Sequence, residues 1–259
     1  GNLTSLRILN IDYTQLSGSL PPEIGNCTEL IQIFADNNQL SGSIPPEIGN
    51  LTNMTTLWLQ TNQLTDLPDL SSDTSLTVLK IQENKLTFED IEPNVFVPDF
   101  TYSPQDSVGE EQDTTIEQGS SLELAVAVGG TANQYQWMQD GVDIPGAESG
   151  SYVLASADSS HAGSYVCRIT STIATELTLY SRPINVRLSG GGVCERGDVT
   201  CDGSIDLFDL LTLVNHILGT QVLEKNALWA ANCNDDGEID LLDLVGIVNV
   251  ILGIGECEP

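Results

Sequence analysis

Two sets of oxygen-bearing residues recur near the C-terminal end of the chain: Asp198, Thr200, Asp202, Ser204, Asp206 and Asp209, then Asn232, Asn234, Asp236, Glu238, Asp240 and Asp243. They fill the first, third, fifth, seventh, ninth and twelfth places of two loops, with Gly203 and Gly237 at the sixth. A hard cation such as Ca²⁺ takes about six to eight oxygens, and a short loop wraps it only by turning sharply at a residue that tolerates positive φ. The spacing therefore points to two calcium ions, one per loop. Ser204 and Glu238 would offer main-chain carbonyls, and Asp206 would bind directly or through water. The first loop has carboxylates at four ligand places (Asp198, Asp202, Asp206, Asp209) and the second at three (Asp236, Asp240, Asp243), so the first site is expected to bind more tightly.

The elements that must hold these loops are written twice. Segment 197–219 returns as 231–253 at a displacement of 34 residues. After each loop the apolar residues fall on one helical face: Leu207, Leu210, Leu211, Val214, Ile217 and Leu218, then Leu241, Leu244, Val245, Val248, Ile251 and Leu252. Gly219 and Gly253 stand where helices commonly stop. Each copy is thus a loop followed by a helix. The GGGVCERG run before Asp198 is unfit for an entering helix, and both loops end in aspartate where an ordinary EF-hand has glutamate.

This combination resembles the type I dockerin, a calcium-dependent module that plugs bacterial extracellular proteins into cohesin domains; the resemblance covers about residues 193–259. It implies two antiparallel loop-helix units related by a pseudo-twofold, with two near-equivalent cohesin-binding faces. Many dockerins carry a polar Ser-Thr pair just before the last ligand, whereas this chain has Leu207, Phe208 and Leu241, Leu242 there. Four of the six cysteines lie in this region, consistent with an oxidising, extracytoplasmic setting. Spacing alone does not choose their pairing. If the units pack antiparallel, the ends of the module meet and Cys194 with Cys257 is the favoured clasp, with Cys201 and Cys233 paired or free. From residue 193 on there are 13 acidic and 2 basic residues, so calcium is expected to couple to folding.

At 259 residues the chain has room for two or three domains. A formal charge of -29, from 8 Lys and Arg against 37 Asp and Glu, argues against nucleic acid or an anionic membrane as partner. No apolar run is long enough to span a bilayer. With no initiator Met and a start inside a repeat, the chain is expected to be an excerpt of a longer exported protein.

Residues 1–92 repeat with a period of 24. Leu6, Leu9, Ile11 and Leu16 are answered by Leu30, Ile33, Ala35 and Leu40, then by Met54, Leu57, Leu59 and Leu64, then by Leu76, Leu79, Ile81 and Leu86. All can point inward if each unit is one turn of a coil. Asn38, Asn62 and Asn84 fall where a side-chain amide can bond the backbone at the bend, with Thr14 in that place in the first unit. The pattern, with its LSGSIPPEIGN phrasing, resembles plant-type leucine-rich repeats. In such a coil two columns of residues face the concave side: Asn10, Phe34, Trp58 and Lys80, and Asp12, Asp36, Gln60 and Gln82. They would form a face for a peptide or carbohydrate, with Phe34 and Trp58 as an aromatic platform.

Pro93, Pro98 and Pro104 mark residues 93–104 as a stiff connector. Residues 105–189 then alternate with period two between turn residues, the signature of an antiparallel sandwich. Tyr165 two residues before Cys167, with Trp137 upstream, resembles an I-set immunoglobulin-like domain. Val126 takes the place of the first core cysteine, so Cys167 is expected to be a buried thiol. His161 with Cys167 is a turn and a core residue rather than a nucleophile pair, since a catalytic thiol needs an exposed, electropositive site. A glycine linker, 190–192, leads to the module at 193–259.

The expected protein is therefore multidomain: a leucine-rich repeat solenoid, an all-β immunoglobulin-like sandwich, and a small all-α dockerin with two calcium loop-helix units. It has no paired acid and base outside the calcium loops, no phosphate-cradling loop and no nucleophile elbow, which argues against an enzyme. The resemblances imply a non-catalytic, secreted or cell-surface bacterial protein attached to a cohesin-type partner, with a role in polysaccharide degradation. A calcium-stabilised adhesin without cohesin, or the accessory tail of a glycoside hydrolase, are the alternatives.

Overall fold

A computed structural model describes residues 3–189, 194–223 and 225–257, and the 190–192 linker lies outside these. The chain divides into two compact units: Gly1–Glu111 with Ala125–Tyr152 and Tyr165–Pro183, and Gln112–Leu124 with Val153–Ser164 and Ile184–Pro259.

The first unit opens with the coil that the repeat predicts. Strands Ile8–Asn10, Gln32–Phe34, Thr56–Trp58 and Val78–Lys80 pair side by side in parallel, one per turn. Their leucine-type residues stack inward: Leu30, Ala35, Met54, Leu57, Leu59, Leu64, Leu79, Ile81 and Leu86 are all 0 % exposed. Leu16, with a neighbouring coil on one side only, is 43 % exposed, against 5 % and 0 % for Leu40 and Leu64 in the same place. The bends are held by amides. Asn62 Nδ2 donates to the carbonyls of Ala35 and Leu59, and its Oδ1 accepts from Leu40 N at 2.9 Å. Asn84 repeats this with Leu59, Ile81 and Leu64 N. In the first coil Thr14 Oγ1 donates to Ile11 O. Gly25 is required where the next coil crosses it, since a Cβ there would lie 2.5 Å from Glu47 O.

Residues 93–104 are more than a stiff connector. Asp99–Thr101 adds a fifth parallel strand beside Val78–Lys80. Gln105 then takes the asparagine's place, its Nε2 donating to Ile81 O at 2.9 Å and Tyr102 O at 2.7 Å. Pro98 and Pro104 lie outside this strand, where no ladder donor is needed, and Pro93 sits in the short 3-10 helix Glu92–Asn94. A short helix, α1 (Phe88–Ile91), buries Phe88 and Ile91 completely under the last coils. The buried Glu92 that follows it accepts hydrogen bonds from Thr131 N, Thr131 Oγ1 and Ser171 Oγ at 2.7–2.8 Å. Burial alone would raise its pKa, but these donors hold it below the usual glutamate value. This carboxylate ties the coil to the strands beyond it.

Those strands are antiparallel. Asn133–Gln139 pairs with Val142–Asp143 and with residues 165–171 of the strand Gly163–Ser171, which pairs in turn with Thr178–Tyr180. Trp137 lies opposite Cys167 in register, and both are 0 % exposed. Cys167 is a free thiol whose pKa burial pushes up to about 11, which suits packing and not nucleophilic chemistry. Val126 is half-buried just past the strand Leu122–Ala125.

In the second unit, Gln112–Glu117 pairs in parallel with Ile184–Ser189. The C-terminal region is helical: α2 (Leu207–Ile217), α3 (Lys225–Ala231) and α4 (Leu241–Ile251). Helices α2 and α4 have the same length and stand 34 residues apart, as the duplication requires. Their shared core is small, gathering Val199, Leu213, Leu223, Ala231, Cys233 and Ile247. The expected Cys194–Cys257 clasp is corrected: the bridges are Cys194–Cys201 and Cys233–Cys257. The two ends do approach one another, since a Cβ on Gly197 would come within 3.0 Å of Cys257 Sγ. Each terminal cysteine nevertheless bonds a loop cysteine, so each loop is tied to one end of the module.

Candidate calcium loops

Both loops take the sharp turn that their glycines predict. In the first, Cys201 and Gly203 sit at φ 57° and 89°; in the second, Asp235 and Gly237 sit at 56° and 87°. The last two acids of each loop also start the following helix. Asp206 caps α2, accepting from Phe208 N at 2.7 Å, and Asp209 reaches back to Asp206 N at 2.7 Å. Asp240 and Asp243 do the same for α4, with Leu242 N at 2.7 Å and Asp240 N at 2.9 Å. This reciprocal capping fixes the twelfth-place carboxylate against the ninth.

The remaining ligand places line the turn. Asp198, 3 % exposed, accepts from Asp202 N and Gly203 N at 3.0 and 2.8 Å. Asp209, 0 % exposed, accepts from Thr200 N and Thr200 Oγ1 at 2.8 and 3.0 Å. Asp202 accepts from Ser204 N at 2.9 Å. In the second loop Asp243 is also 0 % exposed and accepts from Asn234 N at 3.2 Å, while Asp236 accepts from Glu238 N and Asn234 Nδ2, both at 2.9 Å. Burial raises the pKa of Asp198 and Asp209, and repulsion from Asp202 on the one and from Asp198 on the other adds to it. Buried carboxylates that repel one another create a demand for a cation.

Among the described residues no three His, Cys, Asp or Glu side chains are grouped as a metal site, the loop carboxylates being turned onto backbone amides. The donor set nonetheless fits calcium: it is all oxygen, the sixth-place glycines are in the left-handed region, and Asn232 Oδ1, at the first place of the second loop, is buried with no hydrogen-bond partner.

Arg196 was not among the expected residues. Its side chain is 9 % exposed; it donates to Asn232 O at 2.8 Å, pairs with Asp235, and lies 5.0 Å from the centre of the Trp229 ring. The only trace in the sequence is that the duplication breaks at this point: Asp235 stands 34 residues after Cys201, so the two loops carry unlike residues at the fourth place.

The apolar pairs before the last ligands are exposed: Leu207 69 %, Phe208 46 %, Leu241 66 % and Leu242 63 %. Arg187 lies over one face of Phe208, 4.7 Å from the ring centre.

On the coil, Asn10, Phe34, Trp58 and Lys80 align in register across the parallel strands. Phe34 meets Trp58 edge-on at 4.9 Å, and Lys80 Nζ lies 4.8 Å from the Trp58 ring centre. The pair is therefore not an open flat platform: an ammonium lies over one indole face. In the second column Asp12, Gln60 and Gln82 are half-buried and Asp36 is 5 % exposed. Asp36 Oδ1, Gln60 Oε1, Gln82 Oε1 and Trp58 Nε1 are buried without partners.

Among curated proteins none matches this chain. Solved structures with local likeness include the leucine-rich repeat ectodomain of the plant membrane receptor kinase GASSHO1/SCHENGEN3 from Arabidopsis thaliana, at 29 % identity over 43 % of this chain and 14 % of that one, TM-score 0.38. The ectodomain of the receptor kinase SOBIR1, also from Arabidopsis thaliana, matches at 24 % identity over 38 % of this chain and 55 % of that one, TM-score 0.35. The immunoglobulin domains 1–5 of Sidekick-1 match at 15 % identity over 32 % of this chain and 17 % of that one, TM-score 0.27. This chain thus spans only part of each. No described helix is long and apolar enough to cross a membrane. Residues 5–27 match the Leucine Rich Repeat family model, and residues 28–72 match Leucine Rich repeats (2 copies). Residues 196–252 match the Dockerin type I domain, a calcium-binding module, so the chain is similar to leucine-rich repeats over residues 5–72 and to a type I dockerin domain over residues 196–252.

Proposed function

We propose that this is a non-catalytic extracellular binding protein of a bacterial surface, attached through its dockerin module to a cohesin-type partner in calcium-dependent fashion and serving polysaccharide degradation. The observation that carries the proposal is the duplicated exposed apolar pair, each copy set directly on a capped, buried-acid loop. Asp198, Thr200, Asp202, Ser204, Asp206 and Asp209 would hold one ion, and Asn232, Asn234, Asp236, Glu238, Asp240 and Asp243 a second. Calcium supplies the charge that lets these carboxylates remain ionised together. Asp206 and Asp240, as helix caps, would transmit its binding to the start of α2 and α4, where the apolar pairs project. Exposure of these pairs supports docking over the adhesin alternative, in which they would pack inside the module.

The strands between the coil and the module are read as an immunoglobulin-like spacer, with Trp137, Tyr165 and Cys167 in its core. Asn10, Asp12, Phe34, Asp36, Trp58, Gln60, Lys80 and Gln82 form a ligand face on the coil. A peptide suits it better than a sugar ring, because Lys80 already occupies an indole face that a sugar would stack on.

The test is binding of the chain to immobilised cohesins in calcium and in a chelator. Replacing one pair, Leu241→Ser with Leu242→Thr, should leave most binding, since the other face remains. Replacing both, with Leu207→Ser and Phe208→Thr added, should weaken it at least ~10-fold, as expected when buried apolar anchors are lost. Binding that survives the chelator, or that is unmoved in the fourfold variant, would sink the proposal. A separate expectation concerns rank: with four loop carboxylates against three, Asp209→Ala should cost more calcium affinity than Asp243→Ala in calorimetry, and the reverse order would contradict it.

A further inference from the structure

We infer that the short arm 194–197 couples the two calcium loops, with Arg196 as the positioning residue through which filling one loop tightens the other; this rests on the calcium reading above. The arm touches both loops. Cys194 is bonded to Cys201, the fourth residue of the first loop, and Gly197 leads directly into Asp198, its first ligand place. On the other side Gly197 N donates to Ala230 O at 2.8 Å, just before the second loop, and Arg196 holds that loop at two points: the carbonyl of Asn232 and the carboxylate of Asp235. The two copies thus secure the same fourth place by different chemistry, a disulfide at Cys201 and an ion pair at Asp235, and both grips come from one four-residue stretch.

The grip on the second loop leaves its ligand places alone. Asp235 occupies the fourth place, which supplies no oxygen to the ion, and Arg196 takes the main-chain carbonyl of Asn232 and not its side chain. Asn232 Oδ1 stays buried and unpartnered, available to a cation. Trp229 carries the guanidinium from beneath, and with the side chain 9 % exposed, little rotamer freedom is left to it. An ion fixing Asp198 and the turn at Cys201 therefore fixes the arm, and a fixed arm presents Arg196 to an already shaped second loop. Binding then costs less ordering at the second loop, which is positive coupling. Reciprocity requires that filling the second loop tighten the first by the same factor.

The experiment is calcium calorimetry on the 259-residue chain as a cycle. Asp198→Ala isolates the second loop, Asp236→Ala isolates the first, and the product of their affinities is compared with the product of the two constants in the unsubstituted chain. The expected coupling is on the order of 10-fold, within the range typical of allosteric pairs. In an Arg196→Met background, which keeps the apolar stem against Trp229, the same cycle should fall to near 1. Arg196→Lys keeps the charge but not the fork, and should recover only part of it. Circular dichroism at saturating calcium checks that each variant retains its helices; a variant that does not is replaced by Asp235→Asn, which removes the other half of the ion pair and should lower the coupling likewise. Equal products in the unsubstituted chain, or coupling that survives Arg196→Met intact, would overturn the inference while leaving two working calcium sites. Absence of any calcium binding would overturn the calcium reading together with it.

Discussion

Chelating calcium should lower the melting temperature of the C-terminal module by roughly 20 °C or more while leaving the coil's transition in place. Among the described residues the module's core is six buried residues with partly buried neighbours such as Ile205, Leu210 and Leu244 packed against them, a small core for a domain to stand on without staples. Against it stand 13 acidic residues and 2 basic ones, with Asp198, Asp209 and Asp243 buried. The two disulfides restrict the unfolded chain but neutralise nothing. Two sites each at about a hundred times their dissociation constant contribute about 5 kcal/mol together, and each kcal/mol moves the midpoint of a domain this size by about 4–8 °C. A thermal scan followed by helical circular dichroism, in calcium and in chelator, measures the shift. Identical midpoints would show that the disulfides and core suffice alone.

Asn84→Ala should destabilise the coil by about 3 kcal/mol or more, and Asn38→Ala by about 1 kcal/mol, although both delete the same side chain from the same place in the repeat. Asn84 is 2 % exposed, and its loss strands Leu64 N away from water and leaves the carbonyls of Leu59 and Ile81 with Asn62 Nδ2 and Gln105 Nε2 as their side-chain donors. Asn38 accepts from Thr14 N and Leu16 N and donates to the carbonyls of Ile11, Ala35 and Asp36, but Leu16 is 43 % exposed, so water can replace the acceptor, while Ile11 O keeps Thr14 Oγ1 and Ala35 O keeps Asn62 Nδ2. Denaturant titration of the two variants distinguishes them. Equal losses would mean that the amide acts locally, without the burial that makes an orphaned donor expensive.

The coil and the loop-helix units were legible because a repeat states each position several times: a leucine recurring at the 24-residue period, or an aspartate recurring after 34, leaves little choice of face or register. Residues 93–104 were misread because a strand of three residues, Asp99–Thr101, carries no repeat of its own and is recruited by the sheet edge left open at Val78–Lys80. The prolines around it stand outside the strand, Pro93 in the short 3-10 helix Glu92–Asn94, and so carry no sign of it. The cysteine pairing was out of reach for a different reason. Cys194 and Cys257 do come to the same end of the module, but a disulfide answers to the orientation of Cβ vectors, and no sequence spacing encodes that. Helix α3, Lys225–Ala231, lies between the two copies and so had no counterpart to announce it. The grip of Arg196 on the second loop was hidden likewise, since it joins the arm to the fourth place of the far copy, across 39 residues. On the coil the strand register sets Asn10, Phe34, Trp58 and Lys80 side by side, but an alignment of positions cannot show that Lys80 folds over Trp58.

Calcium stoichiometry is the most direct measurement. Titrated by calorimetry, the 259-residue chain is expected to bind two ions, one lost with Asp198→Ala and the other with Asp236→Ala. Full binding should be accompanied by greater helix content or a higher melting temperature for α2 and α4. A chain that takes up no calcium, or one whose uptake is indifferent to both substitutions, would contradict calcium-dependent docking at its root.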